Sequence, residues 1–214
     1  MGLVIQVAYI ISRGVELGRL PLVGPHDTLV FLAASLAAFS IPFAFSLKER
    51  RRFHSGIAIA AALFSAPALI SKQHNAPLPP VLRTLWFESH VVLAFLSYAL
   101  FGIAAVLGYL YLRERDSAYE GMQYRSILTG YCLFSLSMIF GGIWAYLAWG
   151  TYWLWTPKEL WTTILWIFYS FYLHARLRQW WTGRALAITG IAGFAVVLFT
   201  YLGVSLLMKS SHSF

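Results

Sequence analysis

Apolar residues in this chain run in long uninterrupted stretches, instead of alternating with polar ones at a strand or surface-helix period. Crossing a hydrocarbon core takes about 20 consecutive apolar residues in a helix. Six stretches approach or reach that length: Thr28–Leu47, Ser55–Ile70, Val91–Leu112, Ser126–Ala148, Leu160–Leu173 with His174 and Ala175 behind it, and Ala185–Met208. Pro67, near the end of the second, is tolerated in a membrane helix. A shorter run, Leu3–Ile11, makes only about 14 Å of helix. It reads as a partial or interfacial helix, or as the remnant of a longer first span. It lacks the basic n-region and small-residue cleavage site of a signal peptide. With no linker, soluble segment or convincing internal repeat, the expected fold is all-α: one polytopic transmembrane helix bundle over residues 1–214, with six spans plus the short N-terminal apolar helix.

Composition agrees, with 59% hydrophobic and only 11% charged residues in 214, against roughly 25% charged in a soluble domain. That excludes a secreted enzyme, a disordered regulator and a cytosolic nucleic-acid binder. The net charge of +8 resolves into loop placement. Lys48, Arg50, Arg51, Arg52, Arg113, Arg115, Arg125, Arg176, Arg178 and Arg184 fall on one side of the six spans. Only Arg13, Arg19, Lys72, Arg83, Lys158 and Lys209 fall on the other. The positive-inside rule puts the first group in the cytoplasm and, with six spans, both termini on the outer face. Anionic membrane lipid is the expected contact for those charges, and no nucleic acid is implied. The single cysteine, Cys132, lies in an apolar run, so neither an intrachain disulfide nor a CxxC pair can form; CxxCH is absent too.

Nine Trp and six His in so apolar a chain carry the chemistry. Five of the nine Trp fall within Trp144–Trp161, between the fourth and fifth spans on the outer side: Trp144, Trp149, Trp153, Trp155 and Trp161, with Gly150 and Pro157 marking the turn. One reading is an aromatic belt at the membrane interface. The other is a shelf for a large flat apolar ligand, because indole faces offer stacking area and their N–H groups can bond a polar edge. His90 opens the third span and His212 follows the last, both on that outer side. They could supply both axial nitrogens to a haem iron, with Lys158, Lys209 or Arg83 neutralising the propionates. Alternatively His90 is a polar helix-end residue and His212 part of a loose tail. His174 lies about 24 Å along its helix from Lys158, towards the cytoplasmic end. It is either an intramembrane functional residue or a snorkelling one beside Arg176. His54 reads as a solvated loop residue, and nothing near His26 or His74 makes them ligands.

The segment Trp149-Gly-Thr-Tyr-Trp153-Leu-Trp155-Thr-Pro157-Lys158-Glu159-Leu-Trp161 closely resembles the tryptophan-rich WWD segment of haem-handling membrane proteins. Its Pro-Lys-Glu continuation resembles the membrane subunit of System II cytochrome c synthases, the CcsA/ResC type. Gly18-Arg-Leu-Pro-Leu22, Trp86 to His90 with Tyr98, Trp166 through His174 to Arg176, and Tyr201 through Lys209 to His212 agree in order, so the resemblance covers nearly the whole chain. It implies haem b as bound substrate, with His90 and His212 as paired external ligands flanking a shelf of Trp144, Trp149, Trp153 and Trp155 over about residues 144–161, and Lys158 beside it. It implies His174 as an intramembrane ligand whose partner histidine comes from a CcsB/ResB-type subunit. The implied activity is ligation of haem to the CxxCH of apocytochrome c, in a bacterial inner membrane or its thylakoid equivalent with the loop on the outer face. Two positions depart from the pattern. Thr156 replaces the aspartate of the motif's name, removing an anionic acceptor, and Tyr146 replaces a polar residue. The alternative is a non-catalytic relative of the HemX type that regulates haem synthesis. A transporter of another solute would want polar residues along several spans, and these are largely clean.

Overall fold

In the computed structural model, which describes residues 2–47 and 49–207, helices succeed one another without a strand among those residues. They are α1 (Gly2–Leu17), α2 (Pro25–Phe45), α3 (Arg50–Ile70), α4 (Leu85–Glu114), α5 (Ser117–Trp149), α6 (Pro157–Leu177) and α7 (Arg184–Leu198). α7 runs on through a π turn, Phe199–Gly203, into one last turn, α8 (Val204–Leu207), and a 3-10 turn at Pro80–Leu82 precedes α4. The starts of the two longest helices are written in the chain. Thr84 Oγ1 accepts from Phe87 N at 3.2 Å, and Asp116 accepts from Ala118 N at 2.9 Å, each satisfying a donor the helix cannot.

α4 is the axis of the bundle, packed along α5 and flanked by α2 and α7. Small residues allow the approach, as expected where lipid gives apolar side chains no reason to prefer each other. A Cβ on Gly102 would meet Leu36 of α2 at 2.9 Å and Phe194 of α7 at 3.1 Å, and one on Gly130 of α5 would meet Phe101 of α4 at 3.0 Å. Phe101 in turn stacks on Tyr169 of α6 with ring centroids 3.8 Å apart. The result is a polytopic helical membrane bundle.

Among the described residues, five helices are long and apolar enough to cross a membrane: α2, α3, α4, α5 and Arg184–Gly203. The expected six therefore become five by length and composition. α6 has 21 residues, about 31 Å of helix, but Lys158, Glu159, His174 and Arg176 dilute its apolar character. It packs on the bundle all the same. Trp166 donates to Ser135 Oγ of α5 at 2.9 Å, the Tyr131 hydroxyl meets Ser170 at 2.8 Å, and Tyr169 seats against Gly193 of α7.

The N-terminal element also differs from expectation. The apolar run stops before Arg13, but the helix continues to Leu17, giving 16 residues. The reason is tertiary. Arg13 is only 3% exposed and reaches Asp27 of α2 at 3.4 Å, with Glu16 and Asn75 completing its partners. A guanidinium so paired can be carried inside a helix that hydropathy would have ended.

Candidate functional site

At the end of the bundle that bears the Trp-rich loop, a second small core ties the connections together. Val23, Leu78, Leu82 and Trp144 are buried against Trp86, Phe87 and Ala148. Trp144 is 4% exposed, and its indole N–H donates to Val81 O at 2.8 Å. Its ring packs on Phe87 and, edge to face, on Trp149. The five clustered tryptophans are thus divided by the fold. Trp144 holds the α3–α4 connection against the last turns of α5. Trp153 is half-buried, whereas Trp149 and Trp155 are exposed, Trp155 to 65%. Trp161 turns the other way, onto Phe199 of the π turn at 4.4 Å.

Trp153 lines a groove of about 420 Å³ with Met138, Ile139, Gly142 and Ile143 of α5, Tyr152 of the loop and Thr163 of α6. The lining is apolar and aromatic apart from Thr163, and the size lies within the range of small-molecule sites. Tyr146, one of the two departures from the WWD pattern, stacks on Tyr152 with centroids 4.6 Å apart and so braces the groove wall.

The loop is held by its own acidic residue. Glu159 Oε2 accepts from Leu154 N at 3.0 Å and Thr156 N at 2.9 Å, while Thr156 Oγ1 accepts from Glu159 N at 3.3 Å. This is a capping box, with Pro157 at the first helical position. Thr156 therefore keeps the helix-capping duty that an aspartate performs there, without the negative charge. Between them Trp155 takes φ 56°, a left-handed conformation that bulky side chains avoid.

His90 is half-buried in the second turn of α4. Its Nδ1 lies 2.9 Å from Ser137 O and 3.1 Å from Ser137 Oγ, and Ser137 Oγ donates to His90 O at 2.8 Å. The ring lies on Gly141, where a Cβ would come within 2.7 Å of Nδ1. Residues four apart share a helix face, so Ser137 and Gly141 form one row of α5. The groove residues Met138 and Gly142 form the next row round. Lys158 lies within electrostatic range of the imidazole, and makes no ion pair among the described residues.

His174 is at the other end of the molecule, exposed in the last turn of α6, with Nδ1 3.2 Å from Ser170 O. Beside it Arg176 pairs with Glu120 of α5 at 2.6 Å, which also accepts from Gly183 N. His174 lies sixteen residues along α6 from Lys158, about 24 Å, so the fold does not bring it to His90. His212 lies outside the described residues. His26 has both ring nitrogens committed, to the Tyr9 hydroxyl at 2.7 Å and to Ala68 O at 2.7 Å.

Sequence reasoning missed Ser137, Gly141 and Glu159. The Thr-x-x-Glu spacing is a capping-box signature that could have found Glu159. The Gly141-Gly142 pair in an apolar span was the visible sign of a close approach there.

Fold and site together define a polytopic helical membrane protein with an aromatic groove beside a histidine at one end. The cytochrome c assembly protein family matches residues 23–212. Among curated proteins the chain is 33% identical over 238 residues to the cytochrome c biogenesis protein CcsA of Guillardia theta, covering 95% of this chain and 79% of that one. It is 32% identical to the CcsA of Chlamydomonas reinhardtii, covering 97% and 64% respectively, and 32% identical to that of Prochlorococcus marinus strain NATL1A, covering 96% and 79%. This chain belongs to the cytochrome c assembly protein family, in its CcsA type, and it spans somewhat under two thirds of the length of the Chlamydomonas reinhardtii relative.

Proposed function

We propose that this protein acts in cytochrome c biogenesis by carrying haem within the membrane and presenting it at the Trp-rich end for attachment to apocytochrome c. The observation that carries this reading is the placement of His90 on the row of α5 next to the groove lined by Trp153. A flat macrocycle against the groove would lie beside the α5 row that carries the imidazole, with aromatic rings along its face. The chain's residues fit such a substrate: the lining is apolar, Gly141 leaves room for the imidazole, and Lys158 is a cation for a propionate. His212 is proposed as the second external ligand. His174, with a histidine from a CcsB/ResB-type subunit, is proposed as the inner-side ligand. Haem b is the proposed form of the substrate.

The chain supplies position more than reactivity. It holds the haem edge where each thiol of CxxCH adds across a vinyl double bond. Sulfur bonds the inner carbon, the S–H proton goes to the outer carbon, and there is no net oxidation. The protein is proposed to sit in a bacterial inner membrane or its thylakoid equivalent. The loop then faces the periplasmic or lumenal side, and the basic loops contact anionic lipid on the opposite side.

The test is the absorption spectrum of the chain purified with its partner subunit, with a reporter c-type cytochrome assayed in the same cells. Loss or shift of the Soret band in both His90→Ala and His212→Ala, with loss of the mature reporter, is the expected result. Full haem retention in the double variant would overturn the ligand assignment.

A further inference from the structure

We infer that Ser137 and Gly141 are positioning residues for haem binding: they form a seat on α5 that holds His90 in the tautomer whose free nitrogen is Nε2. This inference rests on the proposal that His90 meets haem, and it adds which atom does so and what selects it.

Two acceptors face Nδ1. Ser137 O, at 2.9 Å, is a carbonyl and can only accept; a helical carbonyl still has a second lone pair after its own backbone bond. Ser137 Oγ, at 3.1 Å, has a single proton, which is committed to His90 O at 2.8 Å, so towards the ring it too accepts. Nδ1 must therefore carry hydrogen, and the neutral imidazole then has its lone pair on Nε2. Metal-ligating histidines are commonly fixed in this way, by a hydrogen bond from the nitrogen that does not touch the metal.

The glycine makes the seat possible. Any side chain at position 141 would place a Cβ 2.7 Å from Nδ1 and 2.9 Å from Cε1, closer than real contacts allow, and would push the ring off Ser137. The neighbouring Gly142 is part of the groove lining, with Tyr152 O 3.6 Å from where its Cβ would be. Of the Gly-Gly step, only Gly141 is required by the imidazole; Gly142, on the next row, has ordinary contact distance to the groove wall. Ser137 is buried and Gly141 half-buried beneath the imidazole, so each is placed to act on a ligand through His90.

The tautomer is readable without haem. The full chain, labelled with 15N-histidine and held in detergent micelles, should give a protonated Nδ1 and an unprotonated Nε2 for His90, assigned by the loss of those signals in His90→Gln. Ser137→Ala keeps the carbonyl and should keep this pattern; Gly141→Ala should mix or reverse it. With haem bound, Gly141→Ala should shift the Soret and α bands or lower the haem retained severalfold, and should add nothing in a His90→Ala background. An Nε2–H tautomer in the unaltered chain, or a Gly141→Ala protein with unchanged imidazole signals, would overturn the seat. If Gly141→Ala does not fold, the tautomer of the unaltered chain decides alone. Haem retained with an unchanged spectrum in His90→Ala would instead overturn the ligand reading, whatever the tautomer.

Discussion

Replacing Glu159 by alanine tests what holds the Trp-rich loop. The carboxylate accepts two backbone N–H groups, from Leu154 at 3.0 Å and Thr156 at 2.9 Å, and is itself buried. Hydrogen bonds to a charged group contribute about 1.5–3 kcal/mol each, so the pair contributes about 3–6 kcal/mol to loop order. The loop is half-exposed, and water would recover part of this after truncation, leaving a loss of about 2–4 kcal/mol. Trp155, at φ 56°, already opposes order by about 1–2 kcal/mol, so no reserve lies in the backbone itself. At 1.4 kcal/mol per decade, local opening should rise roughly 30- to 700-fold. Amide hydrogen exchange of the chain in micelles would read this directly across residues 152–156, with α4 as an internal reference. Exchange within about threefold of the unaltered chain would refute the reasoning and leave the loop held by its aromatic contacts alone. Glu159→Gln, which keeps an acceptor without the charge, should fall between the two.

The other expectations are more compact. Thr156→Ala should cost about 1 kcal/mol of α6 stability through loss of the cap, whereas Thr156→Asp should keep exchange protection at the start of α6 unchanged. Trp144→Ala empties the small core between the loops and should lower stability by about 3–5 kcal/mol, seen as a fall in thermal midpoint in detergent. Trp144→Phe, losing chiefly the bond to Val81 O, should cost about 1 kcal/mol. Arg13→Ala leaves Asp27, 2% exposed, with its charge unpaired and should destabilise by about 3–5 kcal/mol. The measurement is protease cleavage within residues 18–24, which an apolar double replacement of Arg13 and Asp27 should suppress again. His174→Ala, an exposed change, should move the thermal midpoint negligibly; under the proposed haem route it should also remove the haem signal assigned to His174 and leave that of His90 intact.

Much of the bundle was legible because a bilayer demands length and apolarity in consecutive residues, and both are local properties. The boundaries were less so. α5 begins at Ser117, nine residues ahead of its apolar run, because Glu120 and Arg125 lie on helix that continues past the hydrocarbon-length stretch. α1 outlasts its apolar window because Arg13 finds Asp27, which lies 14 residues away and on another helix. α6 was legible as the run Leu160–Leu173, but the helix extends beyond it at both ends, from Pro157 to Leu177, and the charged residues it takes in there leave it short of a spanning helix by composition.

The chain by itself determined that this is a membrane bundle, that its tryptophans concentrate at one connection, and that His90 shares that end. Those facts depend on order along the chain, and order is what a sequence contains. Only the tertiary structure decided which tryptophan faces inward and which lines the groove, and that Ser137 and Gly141 seat His90. Each of these depends on the rotation of one helix against another. That rotation is set by which small residues let two backbones approach, and no spacing within either helix records it.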